Sequence, residues 1–282
     1  MSRSENPVAI VTGASAGIGA ATARLLAARG ARLVLNARRE KRLAELAEDL
    51  GARAVPGDVT DPSVRARILE ACEGSIQILV NNAGYGEPGP VETVGEEALR
   101  RQFEVNFFSA AAMMRTVLPL MRSDRSGRIV NVSSVAGRFG YPLFGWYCAS
   151  KHALEGLSDA LRLEAAPWGV RVVLIEPGPV RTEFFDVTRE RAAPQIEDPD
   201  SVYRPFFAKV EAVEEEVMKQ AVTPEKVAAV IVKACFAARP RARYPVSFMS
   251  KASLFGLRVL PRRLLDAMIR RQFRVPGPRD VG

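Results

Sequence analysis

The sequence predicts an α/β protein built on a doubly wound parallel sheet. Short apolar, β-branched runs alternate with amphipathic stretches along the 282 residues, and strands that alternate with helices pair in parallel through right-handed crossovers. The first apolar run leads into a glycine-rich turn and then a helix, which is how a dinucleotide-binding unit begins. The chain shows no internal repeat or low-complexity linker. We therefore expect one domain, residues 1–250, followed by a C-terminal extension, residues 251–282.

The apolar runs predict seven strands, in chain order residues 8–12, 32–36, 52–55, 76–80, 128–132, 170–176 and 243–247. Short continuous apolar runs are typical of strands buried on both faces. Helical stretches between them predict helices at residues 17–29, 39–50, 62–73, 97–122, 147–166 and 223–239. In such a sheet, ligands bind at the carboxyl ends of the strands.

The turn after the first strand favours a pyrophosphate site. Gly13, Gly17 and Gly19 are spaced Gly-x-x-x-Gly-x-Gly between the strand and the helix. Glycine permits a sharp turn and a close approach of the backbone, and the helix N-terminus offers free N–H groups to an anion. The alternative is a plain flexible turn before a helix.

Tyr147 and Lys151 form a second motif, in a segment with helical character. Residues four apart lie on one helical face. A phenol has a pKa of about 10, which a nearby cation lowers. Bringing that pKa near 7 needs roughly 4 kcal/mol, at about 1.36 kcal/mol per unit. One ammonium and a positively charged cofactor ring could supply it, so the pair is typical of a proton-transfer site.

With both motifs present, the sequence resembles the short-chain dehydrogenase/reductase family from about residue 8 to about residue 246. Further markers follow in the family's order, namely Asp58-Val59, Asn81-Asn82-Ala83-Gly84, Asn106, Ser133-Ser134 and the segment 177–182. The resemblance implies hydride transfer between a nicotinamide and a carbonyl or carbinol carbon, and a homo-oligomer, either a dimer or a tetramer.

The resemblance also implies the catalytic residues. Tyr147 would exchange a proton with the substrate oxygen, and Lys151 would lower the pKa of Tyr147 and bind the nicotinamide ribose. Ser134, thirteen residues before Tyr147, would polarise the substrate oxygen, and Asn106 would hold a water near Lys151. The predicted cofactor-binding residues are Gly13, Ser15, Gly17, Ile18, Gly19, Arg38, Asp58, Val59, Asn81, Asn82, Gly84, Tyr147, Lys151, Pro177, Gly178, Val180 and Thr182.

The end of the second strand favours NADP(H) as the cofactor. NAD-dependent members tend to carry an acid where Ala37 stands, and here Arg38 follows instead. A guanidinium suits a 2′-phosphate through forked, charge-assisted hydrogen bonds. Against this, many NADP members have a basic residue where Ala16 stands. Arg38 and Arg39 could also be the solvated start of a helix.

Residues 181–220 break the strand–helix alternation with prolines and aromatic residues. A connection this long is usually functional, and the family carries its substrate loop here, so we expect an apolar pocket wall or lid. The alternative is a surface loop that packs its aromatic side chains on the core. The candidate substrate residues are Tyr141, Leu143, Phe184, Phe185, Tyr203 and Phe206.

The chain continues some 35 residues beyond residue 246, as steroid or retinol dehydrogenase-like members often do. We therefore expect a bulky apolar substrate that is steroid-, retinoid- or lipid-like. Alternatives are a 3-oxoacyl-thioester ketoreductase, a non-catalytic nucleotide-binding sensor, and a membrane-docking protein on the same fold.

The composition argues against several other classes of function. Three cysteines without paired spacing indicate a reducing compartment, and the single histidine, His152, argues against metal chemistry. Residues 1–6 show no signal peptide, and no apolar run approaches the roughly 18 residues of a membrane span, so we expect a cytoplasmic protein. Residues 239–282 carry a net charge of +9 and the rest of the chain carries −1, which gives the total of +8. A nucleic-acid-binding surface over the whole chain is therefore not indicated.

The basic C-terminal extension has an amphipathic pattern. Apolar residues recur at near-helical spacing between residues 254 and 273, with arginines between them, and Pro261 predicts that a helix begins there. Such a helix packs its apolar face on the domain or on a second subunit, or lies in a membrane interface drawn by anionic lipids. Packing on protein is the commoner outcome.

Overall fold

The computed structural model describes residues 6–207 and 209–277. Within them, seven parallel strands form one sheet: β1 Val8–Thr12, β2 Arg32–Ala37, β3 Arg53–Pro56, β4 Ile78–Asn81, β5 Gly127–Val132, β6 Val170–Glu176 and β7 Arg243–Pro245. Their order is β3-β2-β1-β4-β5-β6-β7. The winding direction reverses between β1 and β4, and the carboxyl edge at such a switch point is where ligands bind. The predicted fold class is confirmed.

Helices cover both faces of this sheet. They are α1 Gly17–Ala27, α2 Glu40–Leu50, α3 Pro62–Ala71, α4 Glu96–Phe103, α5 Ser109–Ser123, α6 Gly145–Ala165, α7 Phe184–Ile196, α8 Arg204–Phe207, α9 Val210–Lys219, α10 Pro224–Phe236, α11 Phe248–Val259 and α12 Arg262–Gln272. Helices α1, α2 and α10 bury their apolar residues on one face, and α3, α5 and α6 cover the other.

Side chains of β1 show why the strands are continuously apolar. Ala9 and Val11 belong to the core beneath α1 and α10, whereas Val8 and Ile10 belong to the core beneath α3, α5 and α6. Successive residues of a strand point to opposite faces, so a sheet covered on both faces needs apolar residues at every position.

The predicted helix at residues 97–122 is interrupted. A π-helical turn, Glu104–Phe108, joins α4 to α5. Single π turns inside α-helices are frequent at functional sites, and this one carries Asn106. Helical periodicity alone does not reveal such a turn, because it shifts the register by only one residue.

Residues 181–220, predicted as a long connection, are mostly helical. Helices α7, α8 and α9 span most of the segment, with Pro194 near the end of α7 and Pro205 in the first turn of α8, where proline is tolerated. Ion pairs fasten α7 to its surroundings: Arg191 contacts Glu87 at 2.7 Å, and Arg189 contacts Glu214 of α9 at 2.6 Å.

The C-terminal extension forms a pair of helices, α11 and α12. Pro261 is the N-cap of α12, where the sequence predicts a helix to begin, whereas α11 was not separately predicted. Ser247 caps α11 by accepting a hydrogen bond from Ser250 N at 2.9 Å. Every helix in the described ranges is too short or too polar to cross a lipid bilayer.

Candidate active site

One cavity of about 1090 Å³ opens at the carboxyl ends of the strands. The segments that follow β1 to β6 converge there, as expected for a doubly wound sheet. Most of the predicted site residues line this cavity: Gly13, Ser15, Gly17, Ile18, Arg38, Asp58, Val59, Asn82, Gly84, Ser134, Tyr141, Leu143, Tyr147, Lys151, Pro177, Gly178, Val180, Thr182, Phe184, Phe185 and Phe206.

The glycine turn has a conformation that other residues would strain. Gly13 has φ +66° and Gly17 has φ +52°, and a Cβ on Gly19 would lie 2.2 Å from Gly13 O. Asn82 holds the turn by donating from Nδ2 to Thr12 O at 3.0 Å. Glycine is therefore required both for the backbone angles and for the tight packing.

The start of α1 fits a pyrophosphate. Its N-cap, Ala16, provides no side-chain hydrogen bond, and its first turn contains no acidic residue. The first N–H groups of a helix lack partners within the helix, and together with the positive end of the dipole they form an anion site. A dinucleotide with its diphosphate at this turn fits the residues present.

Arg38 and Arg39 stand at the mouth of the cavity, beyond the end of β2. Arg38 is exposed and, within residues 6–207 and 209–277, has no hydrogen bond or ion pair. By contrast, Arg39 donates from Nε to Ser15 Oγ at 3.2 Å and forms an ion pair with Glu183. Of these two arginines, Arg38 is therefore the one that would give up no contact within the described residues on binding an anion.

Asp58 follows β3, beside the end of β2, where Gly57 N donates a hydrogen bond to Ala37 O at 3.0 Å. Its carboxylate accepts hydrogen bonds from Thr60 N at 2.9 Å and Thr60 Oγ1 at 2.8 Å and forms an ion pair with Arg101. Burial alone would raise the pKa of Asp58, but the hydrogen bonds from Thr60 and Arg101 hold it below its usual value. The carboxylate is therefore ionised and fixed in place.

Tyr147 and Lys151 lie one turn apart on α6, both less than 10% exposed. Lys151 Nζ is 5.9 Å from the Tyr147 ring centroid and donates a hydrogen bond to Val132 O at 2.9 Å. Ser134 follows β5 and accepts a hydrogen bond from Ala136 N at 3.1 Å. The three polar side chains thus meet at one part of the cavity.

Burial shifts the two pKa values of this pair in opposite directions. It raises the pKa of Tyr147 to about 12, which a hydrogen bond with Ser134 partly offsets. It lowers the pKa of Lys151 to about 8, against the attraction of Glu155. Loss of water disfavours the charged form of each group. Desolvation is the largest of these effects on the Tyr147 pKa, and lowering that pKa remains the role predicted for Lys151 together with a positively charged cofactor ring.

Asn106 lies behind the cavity wall. Its Nδ2 donates to Tyr85 O at 2.9 Å and to Ser150 Oγ at 3.1 Å, and its Oδ1 accepts from Tyr85 N at 3.0 Å. A Cβ on Gly84 would lie 3.2 Å from Asn106 Oδ1 and 3.5 Å from Lys151 Nζ. The amide and the ammonium therefore face the same small space, which only glycine leaves open.

Aromatic rings form the other side of the cavity. The Tyr147 ring centroid is 5.7 Å from that of Phe184 and 6.2 Å from that of Phe144, and Tyr141 is 5.5 Å from Phe144. Phe144 was missed by the sequence analysis, although it lies only three residues before Tyr147. Phe273, from the extension, lines the same cavity and was missed as a site residue too.

Besides Asn106, three predicted residues do not line the cavity. Asn81 is buried in β4 and donates from Nδ2 to Asn131 Oδ1 at 2.9 Å, so it joins β4 to β5. Gly19 packs inside the turn against Gly13. Tyr203 lies beside Phe206, with ring centroids 5.7 Å apart and an angle of 56° between the planes, and is outside the cavity lining.

Cys148, next to Tyr147, does not form a nucleophilic pair with His152. Burial raises the pKa of the Cys148 thiol to about 11, whereas a nucleophilic cysteine requires a lowered pKa. His152 Nδ1 bonds to the Cys148 carbonyl oxygen at 2.8 Å and not to the thiol. Cys148 belongs to the small buried apolar cluster with Tyr147 and Ala136.

Known proteins resemble this chain over most of its length. The family model for short chain dehydrogenase matches residues 7–193. A probable short-chain type dehydrogenase/reductase VdlC of Helicobacter pylori is 34% identical over 93% of this chain and 96% of its own. An NADPH-dependent 3-dehydrocapnine reductase of Ornithobacterium rhinotracheale is 35% identical over 92% and 94%. A 3-ketodihydrosphingosine reductase of Bacteroides thetaiotaomicron is 35% identical over 80% and 82%.

Solved structures agree with these matches. A short-chain dehydrogenase from Streptomyces avermitilis has a TM-score of 0.74 and 32% identity over 98% of both chains. Two Burkholderia structures contain different cofactors. The protein from B. cenocepacia, in complex with NADP, has a TM-score of 0.73 and 27% identity over 94% and 98%. The protein from B. phymatum, in complex with NAD, has a TM-score of 0.78 and 28% identity over 96% and 97%. This chain therefore belongs to the short-chain dehydrogenase/reductase family of oxidoreductases, whose fold binds NAD(P).

Proposed function

We propose that this protein uses NADP(H) to interconvert a bulky apolar ketone or aldehyde with its alcohol. The observation that carries the proposal is the meeting of Ser134, Tyr147 and Lys151 in one cavity that aromatic rings also line. The polar groups suit a carbonyl oxygen, and the aromatic rings suit an apolar substrate body.

The nicotinamide, when bound, supplies the hydride. Ser134 donates a hydrogen bond to the substrate oxygen and stabilises the negative charge that develops there. Tyr147 gives its phenolic proton to that oxygen during reduction and takes a proton during oxidation. Lys151 keeps a positive charge beside the phenol. Asn106, through its hydrogen bonds to Tyr85 and Ser150, fixes the walls of the space that Lys151 faces.

The free Arg38 guanidinium supports NADP(H). Ala37, at the end of β2, offers no carboxylate to a ribose 2′-hydroxyl, and a 2′-phosphate would give Arg38 the partner it lacks. The relative named NADPH-dependent 3-dehydrocapnine reductase favours the same cofactor, and the neighbour crystallised with NAD shows that the fold also accepts the other.

A lipid-like ketone agrees best with the aromatic wall. Phe144, Phe184 and Phe206 offer apolar surface and few hydrogen-bonding groups. Two relatives have names that specify 3-dehydrocapnine and 3-ketodihydrosphingosine as substrates of reduction. A 3-oxoacyl thioester is the second candidate, because a 3-ketoacyl-(acyl-carrier-protein) reductase from Brucella melitensis has a TM-score of 0.72 at 26% identity.

The test is a screen of long-chain ketones, steroids, retinal and 3-oxoacyl thioesters with NADPH and NADH. For the best substrate, Tyr147→Phe should lower kcat by roughly 10²–10⁴, the usual effect of losing a general acid, with cofactor affinity unchanged. Tyr244→Phe is the matched control, since this phenol lies in β7 away from the cavity and accepts a hydrogen bond from Arg241 N. Near-normal turnover by Tyr147→Phe would refute the mechanism, and turnover of thioesters alone would favour the second candidate.

A further inference from the structure

The C-terminal extension reaches the cavity through the end of α12. Gln272 and Phe273 line the same cavity as Ser134 and Tyr147. The Phe273 ring stacks on the Tyr141 ring, with centroids 4.8 Å apart and an angle of 11° between the planes. This parallel arrangement is a favourable geometry for two aromatic side chains, so Phe273 is held in a defined position.

A continuous series of rings connects Phe273 to the reacting group. Tyr141 lies 5.5 Å from Phe144, and Phe144 lies 6.2 Å from Tyr147, centroid to centroid. Phe273 is thus the third ring from Tyr147 in this series, and Phe139 also lies beside Tyr141, with centroids 6.0 Å apart. A substrate whose carbonyl lies at Tyr147 would extend its apolar portion along this wall of rings.

Helix α12 borders the cavity and contributes no buried residue to the hydrophobic core. Its half-buried positions, Leu265 and Ile269, precede Phe273 at intervals of four, so they share its helical face. Outward-facing Met268 is 54% exposed. The extension is anchored through Ser250, whose Oγ would lie 3.0 Å from a Cβ on Gly178.

We infer that Phe273 determines substrate specificity by closing the apolar end of the pocket. Its ring sets how long an apolar chain the cavity accepts when the carbonyl is at Tyr147. The inference rests on the proposed function. It adds a residue of the extension, 126 positions beyond Tyr147 in the sequence, to the substrate site.

Two opposite substitutions test this role. Straight-chain 2-ketones of six to twelve carbons are reduced with NADPH, and the ratio of kcat/KM for the longest to that for the shortest is measured. Phe273→Ala removes this ring from the wall and should raise the ratio by on the order of tenfold, the lower end of the roughly 10–200-fold effect of one methylene in an apolar pocket. Phe273→Trp puts a larger ring at this position and should lower the ratio.

The matched control is Phe255→Ala, the same substitution at a ring in α11 that is 67% exposed and outside the cavity lining. It should leave the ratio at the wild-type value. Unchanged ratios in both Phe273 variants, with wild-type melting temperatures, would overturn the inference, as would an equal change in Phe255→Ala. If Phe273→Ala unfolds, Phe273→Leu replaces it and is judged by the same ratio.

A binding measurement separates this inference from the proposed function. The rise in melting temperature caused by each 2-ketone needs no turnover. If the wild-type enzyme reduces none of the ketones, the proposed substrate class fails, but the chain-length dependence of the thermal shift still decides the role of Phe273. A dependence that differs between wild type and Phe273→Ala supports the inference, and an identical dependence overturns it.

Discussion

Replacing Arg38 by alanine should weaken NADPH binding and leave NADH binding nearly unchanged. The Arg38 guanidinium has no hydrogen bond or ion pair in the described residues, so binding a 2′-phosphate would cost it no existing contact. A charge-assisted hydrogen bond is worth roughly 1.5–3 kcal/mol, which corresponds to roughly tenfold to a hundredfold in Kd. Fluorescence titration of each reduced cofactor measures both dissociation constants.

Substitutions of two neighbouring arginines serve as comparisons for Arg38→Ala. Arg39 already contacts Ser15 and Glu183, so Arg39→Ala should have a smaller effect than Arg38→Ala. Arg42 contacts Glu183 at 2.6 Å and lies outside the cavity lining, so Arg42→Ala should change Kd by no more than about twofold, as for an ordinary surface substitution. Equal losses of NADPH and NADH affinity in Arg38→Ala, or a larger loss in Arg42→Ala, would refute the assignment of Arg38.

Two further predictions concern regions outside the reaction centre. Burial, reinforced by the Glu155 carboxylate, raises the pKa of Glu176 to about 7. Its protonated form therefore stabilises the folded state fully below about pH 4.5, the ordinary pKa of a glutamate. This stability is lost as the pH rises through 7, by roughly 3 kcal/mol at about 1.36 kcal/mol per unit. Glu176→Gln should therefore show a smaller fall in melting temperature than the wild type between pH 5 and pH 8, and parallel curves would contradict this. Separately, Leu265 and Ile269 are half-buried, so α12 should pack on the domain and the protein should not float with anionic or neutral liposomes at low salt. Truncation before α12 should lower the melting temperature, and flotation with anionic liposomes that salt abolishes would favour a membrane interface instead.

The sequence allowed the convergence of Tyr147, Lys151 and Ser134 to be predicted because short-range rules fix it. Tyr147 and Lys151 share a face of α6 through helical spacing alone, and Ser134 directly follows a strand. The carboxyl ends of parallel strands meet at one edge, so residues after β1, β4 and β5 converge even though they are far apart in the chain. For the same reason, the sequence alone places Gly13 and Gly17 at the cavity.

The sequence predicted less well the positions of residues that these short-range rules do not govern. Asn81 ends β4 and its neighbour Asn82 lines the cavity, because successive strand residues point in opposite directions. A motif that contains both does not say which one faces the ligand. Phe273 stacks on Tyr141 across 132 residues of sequence, and this contact depends on how the extension folds back over the domain.

Protonation states depend on depth within the fold and not on spacing. The separation of Tyr147 and Lys151 indicates a phenol and an ammonium side by side, and by itself suggests a phenol made acidic by its neighbour. In the folded chain both groups are nearly excluded from water, and desolvation raises the pKa of Tyr147 to about 12 while lowering that of Lys151 to about 8. At neutral pH the phenol therefore keeps its proton and the ammonium keeps its charge, which is the state that protonates a carbonyl oxygen during reduction. Alcohol oxidation needs the phenolate instead, and the positively charged cofactor ring predicted at this site would favour that form.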